Sequence, residues 1–415
     1  MSRSVSRRLA PVGLGIAASL LAVAVVAGPS RAAHVMFVTS ITGTGDLSSW
    51  DDAGGFAGLA AGDAICQAIA GRANLGNSGA YRAWLSDSSN DAYCRLSGLS
   101  GKVSAKCGQA VLPADAGPWQ RTDGQPFAGT IGELAAGVVY TVANLDQSGA
   151  FVPGGTLAAG TDPSGVWTPG YDCAGFTSAS SAQQMSGGAV TSTTGGWSQG
   201  SYPACSTLVR LSCFESGAGP DLAPSTAKGV PAFVTDATGS GDLSSWPDAG
   251  ENTGLAAADE ICRTAAANAG LYAPAFYRAW LSATGANVAS RITGGGPWVR
   301  LDGIEIASSH AALTGGLLEE PFNVTESRQY VGALAWTGSS LSGVVTANTC
   351  VGWKSSGSGD KGMSGVPDNR AFQWTQGGDI SCDASQHLYC VCDQTLIASD
   401  GFESGDLTGW SSSQP

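Results

Sequence analysis

The sequence predicts an α+β protein made of two tandem, disulfide-bonded domains. Each is expected to hold a mixed sheet of short strands, one main helix and long loops. Three observations carry this expectation. The hexapeptide "GDLSSW" occurs at 45–50 and again at 241–246, inside a much longer match. Each copy contains one stretch of helical period among short strand-like runs and glycine-rich turns. Eleven cysteines and 60 glycines, with only 13% charged residues, describe loops held by crosslinks rather than long amphipathic helices.

The match is a tandem repeat. At a constant offset of 196 residues, Phe37, Val38 and Thr39 meet Phe233, Val234 and Thr235. Asp63, Ile65 and Cys66 meet Asp259, Ile261 and Cys262, and "YRAWLS" at 81–86 meets its copy at 277–282. Arg95 meets Arg291. One register held over about sixty residues is duplication, not chance. Insertions then shift it, but landmarks persist. "GPWQRTDG" starts at 117 and "GPWVRLDG" at 296, and "VWT" with Trp167 is matched to "AWT" with Trp336. Trp197 and Trp374 each stand eight residues before a cysteine.

Taken in chain order, residues 1–32 read as a secretory signal peptide. Arg3, Arg7 and Arg8 form its basic start, an apolar run follows, and cleavage is expected after Ala32 or Ala33. Residues 33–217 are domain 1, 218–230 a Pro/Gly/Ala linker, 231–395 domain 2, and 396–415 a polar tail in which "GDLTGW" is a weak echo. Within each domain "FVT" opens a strand. "GLAAADEICRTAAANAG" places Leu255, Ala258, Cys262, Ala265 and Ala269 on one helical face, with Gly270 as the stop. "YRAWLS" alternates as a strand. "RTDG" and "RLDG" are hairpin turns, because Asp-Gly tolerates positive φ.

Loss of the leader removes four of the 20 basic residues and no acids, leaving 16 against 33, a net charge of −17. That surface repels phosphate backbones and anionic lipid, so nucleic acid, membranes and heparin-like polyanions are excluded as partners.

Four cysteines per repeat share a pattern: Cys66 or Cys262 in the helix, Cys173 or Cys350 in the second half, then Cys205 and Cys213 or Cys382 and Cys390. Four cysteines permit three pairings. The helix cysteine, the "YRAWLS" strand, the "VWT" or "AWT" strand and the closing pair with "FES" together resemble the endostatin module and its secreted bacterial relatives. That module is a compact variant of the C-type lectin fold, and the resemblance spans roughly residues 34–395. It implies the nested pairing Cys66–Cys213 with Cys173–Cys205, and Cys262–Cys390 with Cys350–Cys382. Cys94 and Cys107 edge an insertion that repeat 2 lacks and read as an extra local bridge. Cys392 is left over, either an intermolecular disulfide or a buried spectator thiol.

The resemblance does not bring its metal or heparin sites. Only His34 lies near the mature N-terminus, where it reads as a residue at a frayed end, and the next histidine is His310. A lectin calcium motif is suggested only by Glu320, Pro321 and Asn323 in "EEPFNV", interrupted by Phe322 and without a Trp-Asn-Asp partner, which reads as coincidence. Catalysis by a Ser-His-Asp set lacks a shared histidine. The ionisable residues common to both repeats are Asp46/Asp242, Asp52/Asp248, Asp63/Asp259, Arg82/Arg278, Arg95/Arg291, Arg121/Arg300 and Asp123/Asp302. Each has a structural reading, and no catalytic residue is assigned. Asp46 and Asp242 remain open as turn formers or as calcium ligands, the one candidate cofactor. The matched tryptophans read as core anchors rather than sugar platforms.

The expectation is therefore an exported, non-enzymatic binding or adhesion protein. Its two C-type-lectin-like scaffolds would present loops to an extracellular protein or carbohydrate. A structural matrix component and an aspartate-based carbohydrate hydrolase are the alternatives.

Overall fold

Alternating burial along the first strand sets the architecture. In a computed structural model that describes residue 1 and residues 33–222 and 227–394, β1 (His34–Val38) sends Met36 and Val38 to one face and Phe37 to the other, all fully buried. A strand buried on both faces needs a layer on each side. One layer is the long helix Gly58–Arg72 and the other is a set of packed loops rich in aromatic rings.

The remaining strands of repeat 1 are β2 (Tyr81–Ala83), β3 (Trp119–Gln120), β4 (Pro126–Ala128), β5 (Thr156–Ala158), β6 (Gly187–Ala189) and β7 (Arg210–Glu215). They form a mixed seven-stranded sheet in the order β4-β3-β1-β7-β5-β6, with β2 also pairing β7. Repeat 2 supplies β8 (Val230–Val234), β9 (Tyr277–Ala279), β10 (Trp298–Val299), β11 (Glu305–Ala307), β12 (Ala335–Trp336), β13 (Lys361–Gly365), β14 (Gly378–Ser381) and β15 (His387–Cys392). Its eight-stranded order is β11-β10-β8-β15-β12-β13-β14, with β9 on β15. The central registers repeat: His34 pairs with Trp119 as Val230 pairs with Trp298, and Phe37 with Cys213 as Phe233 with Cys390. The protein is thus α+β with two mixed sheets. The leader and the tail lie outside the described residues.

Disulfides tie the layers together. Cys66–Cys213 fastens the long helix to β7, and Cys262–Cys390 fastens helix Gly254–Asn268 to β15. Cys173–Cys205 and Cys350–Cys382 close the second half of each repeat, and Cys94–Cys107 staples the insertion of repeat 1. Closing loops of 147 and 128 residues restricts the unfolded chain by roughly 4–5 kcal/mol each in the chain-entropy model. Cys392 is the free, buried cysteine of β15, and burial together with the adjacent Asp393 pushes its thiol up to about 11.

Three details depart from the sequence reading. The helix of repeat 2 buries Ala257, Ala258, Ile261, Cys262, Ala265 and Ala266, while Leu255 is half-buried and Ala269 exposed. The buried face is the one that carries Cys262, bonded to Cys390 of β15. His34 is not at a frayed end. It sits fully buried in β1, 3.5 Å from Glu215, beneath Gly219, where a Cβ would come within 2.8 Å of the imidazole.

The third departure concerns the matched tryptophans. Trp336 on β12 faces Leu388 of β15, while on β5 it is Ala158 that faces Leu211 of β7. Ala158 is therefore the counterpart of Trp336. Trp167 bridges Thr161 as Val345 bridges Ser339, so its counterpart is Val345. The three-letter match paired a strand with a loop.

Candidate functional site

The turns after β3 and β10 bring the repeats together. Arg121 Nη1 donates to Val142 O at 3.2 Å and Asn144 Oδ1 at 3.2 Å, and Arg300 Nη1 does the same to Pro321 O at 3.1 Å and Asn323 Oδ1 at 2.8 Å. Each arginine also grips the aspartate of its own turn, Asp123 at 2.7 Å and Asp302 at 2.6 Å. Each then reaches across to the other repeat. Arg121 Nη1 meets Glu320 Oε1 at 2.7 Å, and Arg300 Nη2 donates to Tyr140 O at 2.6 Å. The second oxygen of Glu320 accepts from Val142 N at 2.8 Å.

A second contact is reciprocal. Thr193 N donates to Asp368 O at 2.7 Å and Arg370 N to Thr191 O at 2.9 Å, around a bridge between Ser192 and Asn369. Ser192 and Asn369 are the same position of the two repeats, each five residues before the buried Trp197 or Trp374. A position that pairs with its own copy is the mark of a two-fold contact, here inside one chain.

Beside this contact lies a cleft of about 730 Å³, within the range of small-ligand sites. Repeat 1 contributes the turn from Arg121 to Pro126 with Asn144 and Phe151, and repeat 2 contributes Glu305, Glu319, Glu320 and Arg370. Arg121 and Glu320 form its paired floor. Burial raises the Glu320 carboxyl, opposed by the Arg121 guanidinium and the Val142 amide.

Arg370, Glu305 and Glu319, also in the cleft, make no close ion pair among the described residues. Arg370 is nine-tenths buried. Its Nε donates to Leu318 O at 2.7 Å, its guanidinium carbon lies 5.7 Å from the Phe151 ring centre, and neither Nη has a hydrogen bond among the described residues. Burial lowers its pKa, opposed by Glu320 and Glu319. Glu319 N donates to Ile306 O at 2.8 Å, which sets Glu305 and Glu319 on neighbouring segments, and neither carboxylate is paired among the described residues. Burial, then repulsion from Glu319, raises the pKa of Glu305.

Apart from Arg121, Arg300 and the aspartates of their turns, several of the shared ionisable residues are engaged away from the cleft. Asp46 Oδ1 accepts from Ser48 N at 3.1 Å and Ser48 Oγ at 2.6 Å, capping a 3-10 turn, and Asp242 does the same with Ser244 at 3.2 and 2.6 Å. The hexapeptide's Trp50 and Trp246 each donate Nε1 to a backbone oxygen six residues back at 3.0 Å, Thr44 and Ser240. No group of three or more His, Cys, Asp or Glu side chains among the described residues is placed to hold a metal, and the hydrogen bonds of Asp46 and Asp242 to Ser48 and Ser244 account for them as turn formers.

Asp63 pairs with buried Arg95 and accepts from Ala83 N at 3.0 Å, and Asp259 pairs with Arg291 at 2.6 Å and accepts from Ala279 N at 3.0 Å. Asp52 pairs with Arg72, and Arg278 with Asp393. Asn323 of the lectin-like tripeptide is fully buried and donates to Thr193 and Thr194 across the interface. His310 bonds Ala289 O at 3.0 Å and His387 bonds Thr235 O at 2.6 Å. Ten of the eleven described tryptophans are buried, which places them in the core. Trp167 is the half-buried exception, under Lys102 and donating to Asp172.

Sequence reasoning missed the cleft because its unpaired groups fall where the repeats differ. Glu305, Glu319 and Arg370 stand opposite Pro126, Tyr140 and Thr193 of repeat 1. Charges that appear in only one copy of a duplicated segment were the available signal. No protein-family model matches the chain, and neither does any curated protein.

Proposed function

We propose that this chain is an exported, non-enzymatic binding protein. Its two repeats are endostatin-like modules of C-type-lectin-like fold, docked side by side, and a ligand is held in the cleft between them. The disulfides, and the lack among the described residues of a helix long and apolar enough to cross a membrane, support an extracellular setting. One observation carries the reading. Arg95, Arg121, Arg291 and Arg300 are each in a close ion pair, whereas Arg370, Glu305 and Glu319 line an open cleft and make none among the described residues. Arg370 is nine-tenths buried, and a buried charge without a close partner costs stability, a cost that concentrates where a ligand repays it.

The test is a panel of extracellular glycans and short peptides screened against the mature full chain by thermal shift. A ligand is expected whose binding disappears in Gln125→Trp, a substitution at an exposed rim position that fills the mouth. Binding that survives Gln125→Trp would move the site elsewhere. Polysaccharide turnover would replace the reading by a hydrolase, and a silent panel would favour a purely structural role.

A further inference from the structure

The charges of the cleft are not arranged for a single ion. Arg121 is paired with Glu320 and Asp123, so among the described residues lining the cleft Arg370, Glu305 and Glu319 make no close ion pair, and Arg370 feels Glu320 and Glu319 only at longer range. The cation is a planar fork held in place, since Nε is fixed by Leu318 O and the ring of Phe151 lies beside it. Its two Nη atoms present parallel donors, the geometry that receives a carboxylate. The anions are two adjacent carboxylates whose mutual repulsion an ammonium group would relieve. A simple anion would meet the glutamates unfavourably. A simple cation would leave the arginine unpaired.

Resting on the reading of this cleft as the binding site, we propose that its ligand is a short peptide with free ends, or an amino-acid-like zwitterion. The carboxylate lies on the Nη atoms of Arg370, and the ammonium lies between Glu305 and Glu319. The volume of about 730 Å³ suits a molecule of a few residues. The backbone amides of such a ligand pass Gln125 and Asn144, whose side-chain amides match them. Repeat 1 carries Pro126, Tyr140 and Thr193 at the three matching positions, so the chain holds one such site rather than two.

The experiment is a tripeptide library offered to the mature full chain in three forms: free, N-acetylated and C-amidated. A neutral oligosaccharide of similar size is the fourth arm. The free library is expected to bind, with acetylation and amidation each weakening it about 10–100-fold, the worth of one charge-assisted pair. Glu319→Gln, at an exposed position, should weaken the free form and leave the acetylated form unchanged. Arg370→Gln should remove the preference for a free carboxylate over an amide. The three ligand forms on the unaltered chain decide the matter even if a variant fails to fold. Equal binding of all three forms, or no peptide binding, overturns the inference. Oligosaccharide binding abolished by Gln125→Trp overturns it while leaving the cleft as a binding site, and a panel with no cleft ligand overturns both.

Discussion

Asp368 shows how one residue's charge state records the docking of the repeats. Its carboxyl is buried at the interface, where Gly196 N donates to it at 3.2 Å, and burial raises its pKa from 3.8 to about 7. The unfolded chain therefore loses this proton at lower pH than the folded one does. The stability it contributes is fully present below about pH 4 and declines as pH rises to about 7. Asp368→Asn keeps the acceptor for Gly196 without the charge. It should exceed the parent chain in stability by a few kcal/mol at pH 8. Urea unfolding from pH 4 to 8 should show the gap closing as pH falls towards 4. The repeated hexapeptide gives a second residue-scale case. A Cβ on Gly45 would lie 2.5 Å from the sulfur of Cys173, and one on Gly241 would clash with Cys350 likewise. Gly45→Ala should cost about 1–3 kcal/mol, whereas Asp46→Asn, which can still cap, should cost little and show no response to calcium. The hexapeptide was legible as a repeat at once. Its cause was not, because the sulfur it packs against lies more than a hundred residues away in sequence.

Among the elements, the two halves reach the same fold by different packing. On β12 the ring of Trp336 fills the space over Gly362, where a Cβ would come within 2.7 Å of it. On β5 the matching residue is Ala158, and the space is taken by Met185, which bridges Asp172 as Gly362 bridges Thr349. Large and small have exchanged places across one contact. Trp336→Ala alone should cost about 3–5 kcal/mol as an unfilled cavity, and Gly362→Met alone should be destabilising by overpacking. The double variant copies repeat 1 and should recover much of the loss. Chemical denaturation of the single and double variants measures that coupling, and additive losses would refute the exchange. The strand and helix segments were legible from period and turn chemistry, as in "YRAWLS" and "RTDG". Matching "VWT" to "AWT" failed because a core conserves volume across a contact rather than the letter at either position.

At the scale of the whole molecule, the duplication is visible in the letters and the docking of the copies is not. The sequence reading carried separate domains with a linker at 218–230. The contacts of Arg121 with Glu320, Arg300 with Tyr140, and Thr191–Thr193 with Asp368–Arg370 join the repeats through buried surfaces. The arginines, with the asparagines Asn144 and Asn323 that accept from them, are shared between copies. The partners the arginines meet across the interface are Glu320 in one repeat and a backbone oxygen in the other, so no repeated motif announces the interface. This asymmetry also gives a test. Glu320→Ala would leave the guanidinium of Arg121 buried with only Asp123 to answer it, and would unbind Val142 N as well. Removing one partner of such a buried pair costs about 3–5 kcal/mol, whereas replacing both by apolar residues of similar size is often near neutral. In calorimetry the parent chain should unfold in one transition, because each repeat is stabilised by the other. Glu320→Ala should separate it into two, while Arg121→Met with Glu320→Met should restore most of the coupling. A single unshifted transition in Glu320→Ala would mean that the repeats hold together without this pair.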